Sequence, residues 1–352
     1  MSVFRVGITP DFYVDAKGRF EAALEEKLAH VAGLELAAMP EQPGKIATAD
    51  VLNEFDAIFA LGLKFTRESF QGVERLALIA RWGVGYDMID VAAATQAGVL
   101  IAITPNAVRR PVAEAILTFI FMLAKNAREQ DQLVRAGKWR GELSRLGYCL
   151  KGRILGSVGC GNIAQEMFRL ASNLGFARFL AYDPFVSPEA AARCNVELVE
   201  LETVFRLSDF VTVNCPLNES TRGLIQESHF RLMKPSAFFI NTARGPIVNQ
   251  AALTRALSER WILGAGLDVF EKEPLDPDDP LLQLENVVLS PHGLAWTEEI
   301  ARDNGFEACD NILSVFRGQA PSATVNPVVL NNPILQAKLA RYRACFSDRR
   351  SS

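Results

Sequence analysis

The sequence contains little histidine and cysteine, and its cysteines are scattered. Among 352 residues there are 3 histidines and 6 cysteines. No two cysteines form a Cys-x-x-Cys pair, and no two histidines have the spacing of a zinc site, so we expect no metal centre. Isolated cysteines are typical of reduced thiols in a cytoplasmic protein, and we expect that location.

An excess of positive charge and a long hydrophobic run are also missing. The formal net charge is -4 and the sequence pI is about 5.6, so we expect no nucleic-acid partner. The strongest apolar run, Ala115 to Ala124, is well short of the roughly 20 residues that cross a bilayer, and the N-terminus does not resemble a signal peptide. These absences favour a protein that acts on small molecules, away from membranes.

Short, apolar, β-prone runs alternate with segments of helical character, which predicts an α/β fold with parallel sheets. The first series of predicted strands comprises Val3 to Ile8, Ala57 to Leu61, Leu76 to Ala80 and Val99 to Ile103. The second comprises Arg153 to Val158, Phe179 to Tyr182, Phe210 to Asn214, Ala237 to Asn241, Gly264 to Leu267 and Val287 to Leu289. We therefore expect two Rossmann-like or flavodoxin-like domains.

The order of the predicted elements also indicates how the domains are connected. A helix that begins at Pro111 leads into the second strand series, and a helix capped by Thr297 returns to the first domain. The nucleotide-binding domain is therefore predicted to be inserted into a discontinuous substrate domain. The predicted bounds are 1–104 with 296–330 for the substrate domain, 105–295 for the nucleotide-binding domain, and 331–352 for a C-terminal tail. We expect this tail to be solvated, and the alternative is that residues from Pro333 onward form a short helix.

A glycine-rich loop stands where a predicted strand ends and a helix begins. It has the sequence Gly159-Cys160-Gly161-Asn162-Ile163-Ala164. Gly159 permits a tight turn, Gly161 lets the backbone approach a pyrophosphate, and Ala164 allows the helix and strand to pack closely. The helix N-terminus would direct free N–H groups at the phosphates. This context predicts a dinucleotide site, although such a loop alone can be a structural turn.

An acidic residue follows the glycine loop at the distance expected in a dinucleotide fold. Asp183 ends the next predicted strand, 24 positions after Gly159 (183 − 159). A carboxylate there would accept the ribose hydroxyls and repel the extra phosphate of NADP, so NAD is the predicted cofactor. The alternative is that Asp183 only shapes the turn before Pro184.

Arg244, Glu273 and His292 each follow one of three successive strands, at the edge where open α/β sheets bind ligands. An imidazole can move the hydroxyl proton that accompanies hydride transfer, a hydrogen-bonded carboxylate can support it, and a guanidinium can hold carboxylate and carbonyl oxygens. Each residue has a structural alternative, in a surface ion pair, in loop solvation or in packing. His30 and His229 lie in helical surroundings, so His292 is the predicted proton-transfer residue.

Together these motifs resemble the D-isomer-specific 2-hydroxyacid dehydrogenase family, including its D-3-phosphoglycerate dehydrogenase branch. The resemblance extends from Arg81 to Pro327. Besides the glycine loop, the matching segments are Gly83 to Asp87, Thr104 to Asn106, Val112 to Glu114, Asn241 to Gly245, Leu267 to Pro274 and Ser290 to His292. The resemblance implies an NAD-dependent oxidoreductase that transfers hydride to or from C2 of a small anionic D-2-hydroxy or 2-keto acid, similar to phosphoglycerate dehydrogenases or to hydroxypyruvate and glyoxylate reductases.

The resemblance also implies roles for particular residues. Arg244, Glu273 and His292 would be catalytic, and the amides of Val84 and Gly85 would bind the substrate carboxylate together with Arg244 and His292. Cofactor contacts would come from Gly159, Gly161, Asn162, Ile163, Asp183, Cys215, Pro216, Thr242 and Asp268. The functional form would be a homodimer built around the nucleotide-binding domains, which agrees with the apolar helix from Val112 to Lys125.

The sequence leaves an alternative function and a question of substrate choice open. Trp296 follows His292 in an arrangement similar to that of the carboxy-terminal binding corepressors, so an NAD(H)-sensing binding protein is the alternative function. One hypothesis for Arg109 and Arg110 is that one of them binds a second anionic group of the substrate; the alternative is that both are solvated. Trp82, Tyr86 and Trp296 would make the substrate pocket more aromatic.

Overall fold

The computed structural model describes residues 3–351, with side chains through Phe346, and divides into two compact units. Unit 1 consists of residues 1–108 and 297–352, and unit 2 of residues 109–296. The chain passes between the units at 108 and 297, where the sequence led us to expect boundaries at 104 and 296.

The strands and helices alternate along both units. The strands are β1 (Phe4–Ile8), β2 (Leu34–Ala38), β3 (Ala57–Ala60), β4 (Leu78–Arg81), β5 (Leu100–Ala102), β6 (Ile154–Val158), β7 (Arg178–Tyr182), β8 (Val196–Leu198), β9 (Phe210–Val213), β10 (Phe238–Asn241), β11 (Gly264–Leu267) and β12 (Val287–Leu289). The helices are α1 (Phe12–Asp15), α2 (Glu21–Lys27), α3 (Ala49–Leu52), α4 (Val91–Gln96), α5 (Pro105–Ala124), α6 (Ala127–Arg135), α7 (Asn162–Ala171), α8 (Pro188–Ala192), α9 (Leu201–Leu207), α10 (Glu227–Leu232), α11 (Gln250–Ser258), α12 (Glu298–Phe316) and α13 (Pro333–Ser351). Short 3₁₀ helices occupy Pro43–Lys45, Glu68–Phe70, Arg140–Glu142, Gly245–Ile247, Pro280–Gln283 and Pro327–Asn331.

Each unit contains one parallel sheet, which confirms the predicted fold class. Unit 1 has five strands in the order β2-β1-β3-β4-β5, the flavodoxin-like order. Unit 2 has seven strands in the order β12-β11-β10-β9-β6-β7-β8, which is the doubly wound Rossmann order with one additional strand. In both sheets the order reverses beside the first strand, and ligands bind such sheets outside the carboxyl ends of the strands.

The central strands are buried on both faces, as expected of parallel sheets covered by helices. In β10, Phe238 and Ile240 join one hydrophobic core of unit 2 while Phe239 joins the core on the other face. In unit 1, α12 packs against α2 and β4 and covers one face of the sheet. The buried apolar residues explain why these strands are visible in the sequence as continuous apolar runs.

The structure adds two edge strands, β2 and β8, that the apolar runs do not predict. In β2 no residue is fully buried, and β8 has only three residues. An edge strand pairs on one side only, so it needs fewer apolar side chains. Within the described residues, no helix is both long enough and apolar enough to cross a membrane.

Helix α5 differs from the prediction that it begins at Pro111. It begins at Pro105, so Pro111 lies inside it. Proline lacks an N–H donor, and this feature suggested a first turn. The helix continues through Pro111 because buried side chains such as Ala113, Ile116 and Phe119 hold the following turns in the core of unit 2.

The predicted solvated tail is also wrong, because residues 333–351 form α13. Leu335, Leu339 and Tyr342 follow a helical spacing and are buried against unit 1. The Nζ of Lys338, which is 5% exposed, donates to the carbonyl oxygens of Leu76, Ala97 and Gly98. The arginines of this segment suggested a solvated chain, but the helix buries only one narrow apolar face and can expose its charged residues on the others.

Candidate active site

The predicted cofactor and catalytic residues of unit 2 follow the carboxyl ends of its parallel strands. The glycine loop follows β6, Asp183 follows β7, and Cys215 follows β9 by two residues. Arg244, Glu273 and His292 follow β10, β11 and β12, which are neighbours in the sheet. Because parallel strands end at the same edge, one edge of unit 2 presents both sets of groups.

The predicted contact between the imidazole and a carboxylate is present. His292 Nδ1 lies 2.8 Å from Glu273 Oε2, and the other carboxylate oxygen, Oε1, accepts from the amide of Phe270 at 3.0 Å. The Glu273 carboxylate is thus fixed at both oxygens. With Nδ1 engaged, Nε2 is the ring nitrogen left to face a substrate, and the His292 side chain is 44% exposed.

Electrostatics favour the ionised form of Glu273. Burial alone would raise its pKa, but the hydrogen bond and charge of His292, the amide of Phe270 and the charge of Arg244 together hold the pKa below the usual value of a glutamate.

Asp268 holds the turn that presents His292. It is 4% exposed, its carbonyl oxygen accepts from the amide of His292 at 2.8 Å, and its Oδ1 accepts from the amides of Gly293 and Leu294 at 2.9 and 3.2 Å. His292 has a φ of 54°, in the left-handed region that residues other than glycine seldom adopt. Such a conformation persists where its surroundings enforce it, so Asp268 fixes the direction of the imidazole.

The loop after β10 holds Arg244 close to the loop after β11. Asn241 Nδ2 donates to the carbonyl oxygen of Arg244 at 3.0 Å, and Arg244 Nη1 donates to that of Ala243 at 2.7 Å. A Cβ on Gly245 would lie 1.8 Å from the carbonyl carbon of Phe270, so only glycine allows the two loops to approach so closely. Arg244 and Glu273 therefore belong to loops that are in direct contact.

The glycine loop fits a dinucleotide. Gly159 has a φ of 99°, and a Cβ there would lie 2.7 Å from the backbone nitrogen of Cys215, so the turn requires glycine. Gly161 stands at the N-cap of α7, where no side chain caps the helix and a Cβ would meet nothing within 4 Å. The first N–H groups of α7 are therefore available to a pyrophosphate, and the open space at Gly161 admits it.

Asp183 ties the end of β7 to the glycine loop. Its Oδ2 accepts from the amide of Cys160 at 2.8 Å, and its Oδ1 accepts from the amides of Phe185 and Val186 at 2.9 and 3.2 Å. The predicted turn role before Pro184 is thus present. Oδ1 already accepts two hydrogen bonds, but Oδ2 accepts only one, so its second lone pair leaves acceptor capacity for a ribose hydroxyl.

Cys215, Pro216 and Thr242 lie after β9 and β10, at the same edge as the glycine loop. Burial raises the pKa of the Cys215 thiol to about 11, so it remains protonated at neutral pH. The carbonyl oxygen of Pro216 accepts from Thr221 Oγ1 at 2.6 Å, which fixes the turn after β9. Thr242 is half-buried. Within the described residues no cluster of three or more metal-ligating side chains occurs.

In unit 1, Val84 and Gly85 lie in the loop that follows β4. Both are half-buried, and no hydrogen bond to either amide occurs within residues 3–351. Gly83, with a φ of 122°, begins this loop. Two adjacent amides without a partner are suited to bind an anion.

Three of the residues considered for substrate choice lie in unit 2, namely Arg109, Arg110 and Trp296. Arg110 is engaged, because its guanidinium pairs with Glu114 at 2.5 Å and with Glu166 at 3.4 Å. Its hypothetical role toward a second substrate anion would require these pairs to break. Arg109 is exposed, and the amide of Trp296 donates to the carbonyl oxygen of Gly293 at 2.9 Å. Arg109 therefore stays a candidate for binding that anion, and the hypothesis that Trp296 makes the substrate pocket more aromatic stays a prediction.

Comparison with known proteins gives consistent results. Residues 117–293 match the family model described as D-isomer specific 2-hydroxyacid dehydrogenase, NAD binding domain. A glyoxylate reductase of Korarchaeum cryptofilum is 38% identical over 292 residues, which cover 82% of this chain and 88% of that protein. A D-3-phosphoglycerate dehydrogenase of Methanocaldococcus jannaschii is 37% identical over 80% of this chain but only 52% of its own length.

The solved structures show the same similarity across nearly the whole chain. The crystal structure of a glyoxylate reductase from Paecilomyes thermophila has a TM-score of 0.79 and 28% identity, covering 92% of this chain and 99% of that chain. An NADPH-dependent glyoxylate/hydroxypyruvate reductase from Sinorhizobium meliloti, solved with NADP and malonate, has a TM-score of 0.79 and 25% identity over 92% of this chain and 97% of its own.

Proposed function

The chain belongs to the D-isomer-specific 2-hydroxyacid dehydrogenase family, and on that premise we propose that it interconverts a small 2-keto acid and the corresponding D-2-hydroxy acid with a nicotinamide cofactor. The observation that supports this most directly is the His292–Glu273 pair, 2.8 Å apart, in a cluster with the charge of Arg244. Proton transfer at a carbinol oxygen needs a positioned general acid or base, and an imidazole held by a carboxylate can act as one.

The bound cofactor supplies or accepts the hydride at C2. In the reduction, His292 gives its Nε2 proton to the oxygen of the keto group; in the oxidation, it takes the hydroxyl proton back. Glu273, held at Nδ1, orients the ring and stabilises its charged form. Arg244 offers a guanidinium to the substrate oxygens, and in unit 1 the amides of Val84 and Gly85 are the proposed ligands of the substrate carboxylate.

NAD is the proposed cofactor, in preference to NADP. The support is Asp183, whose carboxylate stands at the end of β7 beside the glycine loop and would repel a 2′-phosphate. Asn162 and Ile163 begin α7 and would offer their amides to the pyrophosphate, while Thr242 and Asp268 complete the proposed contacts at the neighbouring strand ends.

The test is a spectrophotometric panel of glyoxylate, hydroxypyruvate, phosphohydroxypyruvate and larger 2-keto acids, each with NADH and NADPH. We expect turnover of at least one acid and a kcat/KM that is about 10-fold or more higher with NADH, the size of effect expected for removing one unfavourable charge contact. In Asp183→Ala, the ratio of kcat/KM with NADH to kcat/KM with NADPH should be smaller than in wild type. Absence of turnover with every acid, in protein that still binds NADH, would contradict the proposal.

A homodimer is the proposed assembly, and a reducing compartment such as the cytoplasm the proposed location. Unit 2 exposes four large apolar side chains between residues 121 and 146, namely Phe121, Val134, Trp139 and Leu146, and such a group is typical of a protein interface. Light scattering should give twice the chain mass, and Trp139→Glu with Leu146→Glu should give the monomer. The six cysteines are all free thiols, which supports the location.

A further inference from the structure

The loop that follows β4 is held from beneath by a buried arginine. Arg81, the last residue of β4, is 9% exposed. Its Nε donates to the carbonyl oxygen of Gly85 at 2.7 Å, and its Nη1 donates to those of Trp82 and Ala60 at 3.1 and 3.3 Å. One guanidinium therefore fixes the carbonyl groups at both ends of the segment that contains Val84.

The start of the loop is held by a second side chain. Thr104 is fully buried, and its Oγ1 accepts from the amide of Gly83 at 2.8 Å and donates to Asn304 Oδ1. The backbone amide of Thr104 donates to the carbonyl oxygen of Gly83 at 3.1 Å. Both polar backbone groups of Gly83 thus have partners, and the positive φ of Gly83 is fixed at the same point.

These contacts decide which backbone groups the loop presents. Carbonyl groups repel a carboxylate, and Arg81 binds two of those in the loop. The amides of Val84 and Gly85 are left without a partner within residues 3–351. Each peptide unit is planar, so the bond from the amide of Thr104 to the carbonyl oxygen of Gly83 also fixes the direction of the Val84 N–H. Arg81 fixes the Trp82 and Gly85 carbonyl groups, which belong to the peptide units just before and just after those that carry the Val84 and Gly85 amides.

We propose that Arg81 is a positioning residue for substrate binding: it holds the carbonyl groups of Trp82 and Gly85 inward, so that the adjacent amides of Val84 and Gly85 can receive the substrate carboxylate. Thr104 has the same function at Gly83. This inference rests on the proposed function, because it presumes a carboxylate substrate. In this role Arg81 binds only the peptide groups of the loop and takes no part in hydride or proton transfer.

The experiment compares two arginines at opposite ends of one strand. Arg75 precedes β4, is part-buried, and binds the carbonyl oxygen of Val3 and the carboxylate of Asp56. Lysine keeps the charge at either position but cannot reproduce the planar fork. Arg81→Lys and Arg75→Lys therefore make equal chemical changes at the carboxyl and amino ends of β4.

For Arg81→Lys we expect KM for the keto acid, and Ki for oxalate, which has carboxylates but no reducible carbonyl, to rise by about 10-fold or more, as when one charge-assisted hydrogen bond is lost. We expect kcat to change by less than about threefold and the Kd of NADH by less than about twofold, because unit 2 is unaltered. Arg75→Lys should lower the melting temperature and leave KM and Ki unchanged. An unchanged KM and Ki in folded Arg81→Lys would overturn the inference.

Thr104 provides a second pair of variants, of which Thr104→Val keeps the volume of the side chain and Thr104→Ser keeps its hydroxyl. Thr104→Val removes the hydroxyl and should raise KM for the keto acid and Ki for oxalate. Thr104→Ser keeps the hydroxyl and should leave both constants near the wild-type values, a pattern that a purely structural role would not produce. Equal KM values in the two variants would overturn the inference even if Arg81→Lys fails to fold. If the wild-type enzyme is active but the variants give these overturning results, only the inference about Arg81 and Thr104 is contradicted. If the wild-type protein reduces no keto acid, the proposed function is contradicted and the inference with it.

Discussion

The two units use the carboxyl ends of their parallel strands differently. In unit 2, that edge presents ionisable side chains, with Arg244, Glu273 and His292 on loops after neighbouring strands. In unit 1, the loop after β4 presents the amides of Val84 and Gly85, which have no partner within residues 3–351, and the side chains of Arg81 and Thr104 that hold this loop are buried. On the proposed function, the same architecture would support chemistry through side chains in unit 2 and substrate recognition through the backbone in unit 1.

This difference determines which substitutions should matter. Where a side chain acts, replacing it removes the function and leaves the fold largely intact. Where the backbone acts, the residue that bears the amide is tolerant, and sensitivity moves to the groups that hold the backbone in place, such as Arg81 and Thr104. The predictions below test this contrast in order of expected effect.

The largest effect should come from replacing His292, the proposed proton-transfer residue. In His292→Ala, we expect kcat to fall by about 10²- to 10⁴-fold because no general acid or base remains at the reacting oxygen. The Kd of NADH should stay near the wild-type value in a fluorescence titration. His30→Ala, at a histidine whose side chain is 81% exposed in unit 1, is the matched control and should be fully active. A His292→Ala enzyme as active as that control would contradict the proposed action of a side chain in unit 2.

Glu273→Gln should have the next largest effect, because the amide cannot support an imidazolium as a carboxylate does. We expect kcat to fall by about 10-fold or more. The pKa of Glu273 lies below its usual value, so its ionised form contributes stability that is present above the unfolded-state pKa, about 4.3, and is lost as pH falls through the lower folded-state value. The difference in unfolding free energy between wild type and Glu273→Gln should therefore shrink below about pH 4. A difference that grew on acidification would contradict the assigned direction.

The glycine loop is the part of unit 2 whose backbone is expected to bind a ligand. It therefore tests whether the contrast between side chains in unit 2 and backbone in unit 1 is complete. Gly159→Ala should lower the melting temperature of the cofactor-free protein, because Gly159 has a φ of 99° and a Cβ would lie 2.7 Å from the backbone of Cys215. Gly161→Ala meets no atom within 4 Å and should leave that temperature unchanged, yet raise the Kd of NADH by about 10-fold through contact with the pyrophosphate. Equal melting temperatures for the two variants would contradict the strained turn.

The smallest effect on activity should come from the amino-terminal edge of the unit 1 sheet. Lys338→Met should change stability and leave kcat and KM as in wild type. Burial lowers the pKa of Lys338 to about 8, so its contribution is fully present above the unfolded-state pKa of lysine, about 10.4, and decreases as pH falls through the folded value. The stability of wild type relative to Lys338→Met, from urea unfolding, should therefore rise between about pH 8 and pH 10. A change in KM would show that this edge is not purely structural.

Most of the fold and the unit 2 site could be predicted from the sequence, for a common reason. Buried parallel strands appear as apolar runs, and the residues that follow them, such as Asp183 and His292, stand at a known edge of the sheet. The contact between His292 and Glu273 was predictable because the required chemistry limits the choice of partner. Their catalytic roles, and those of the cofactor residues, stay predictions.

What the sequence did not reveal depends on contacts between distant residues. Nothing near Arg81 in the chain indicates that its guanidinium binds the carbonyl oxygen of Ala60 or that Thr104 reaches Asn304. The role of Asp268 in the turn at His292 likewise requires the register between β11 and β12. The apolar stripe of α13 and the start of α5 were missed because tertiary packing overrides local signals from charge and proline.

The interrupted order of unit 1 has a consequence for the newly made protein. Helix α12, which packs on α2, ends at residue 316, whereas the first segment of the unit ends at 108, so 208 residues (316 − 108) are translated in between. At roughly 5–20 residues per second, the first segment leaves the ribosome roughly 10–40 s before its covering helix does. Unit 2, being contiguous, can fold in that interval. Phe4, whose ring packs on those of Phe316 and Tyr342, lacks both partners on the nascent chain during this period, when chaperone binding and aggregation would compete with native assembly.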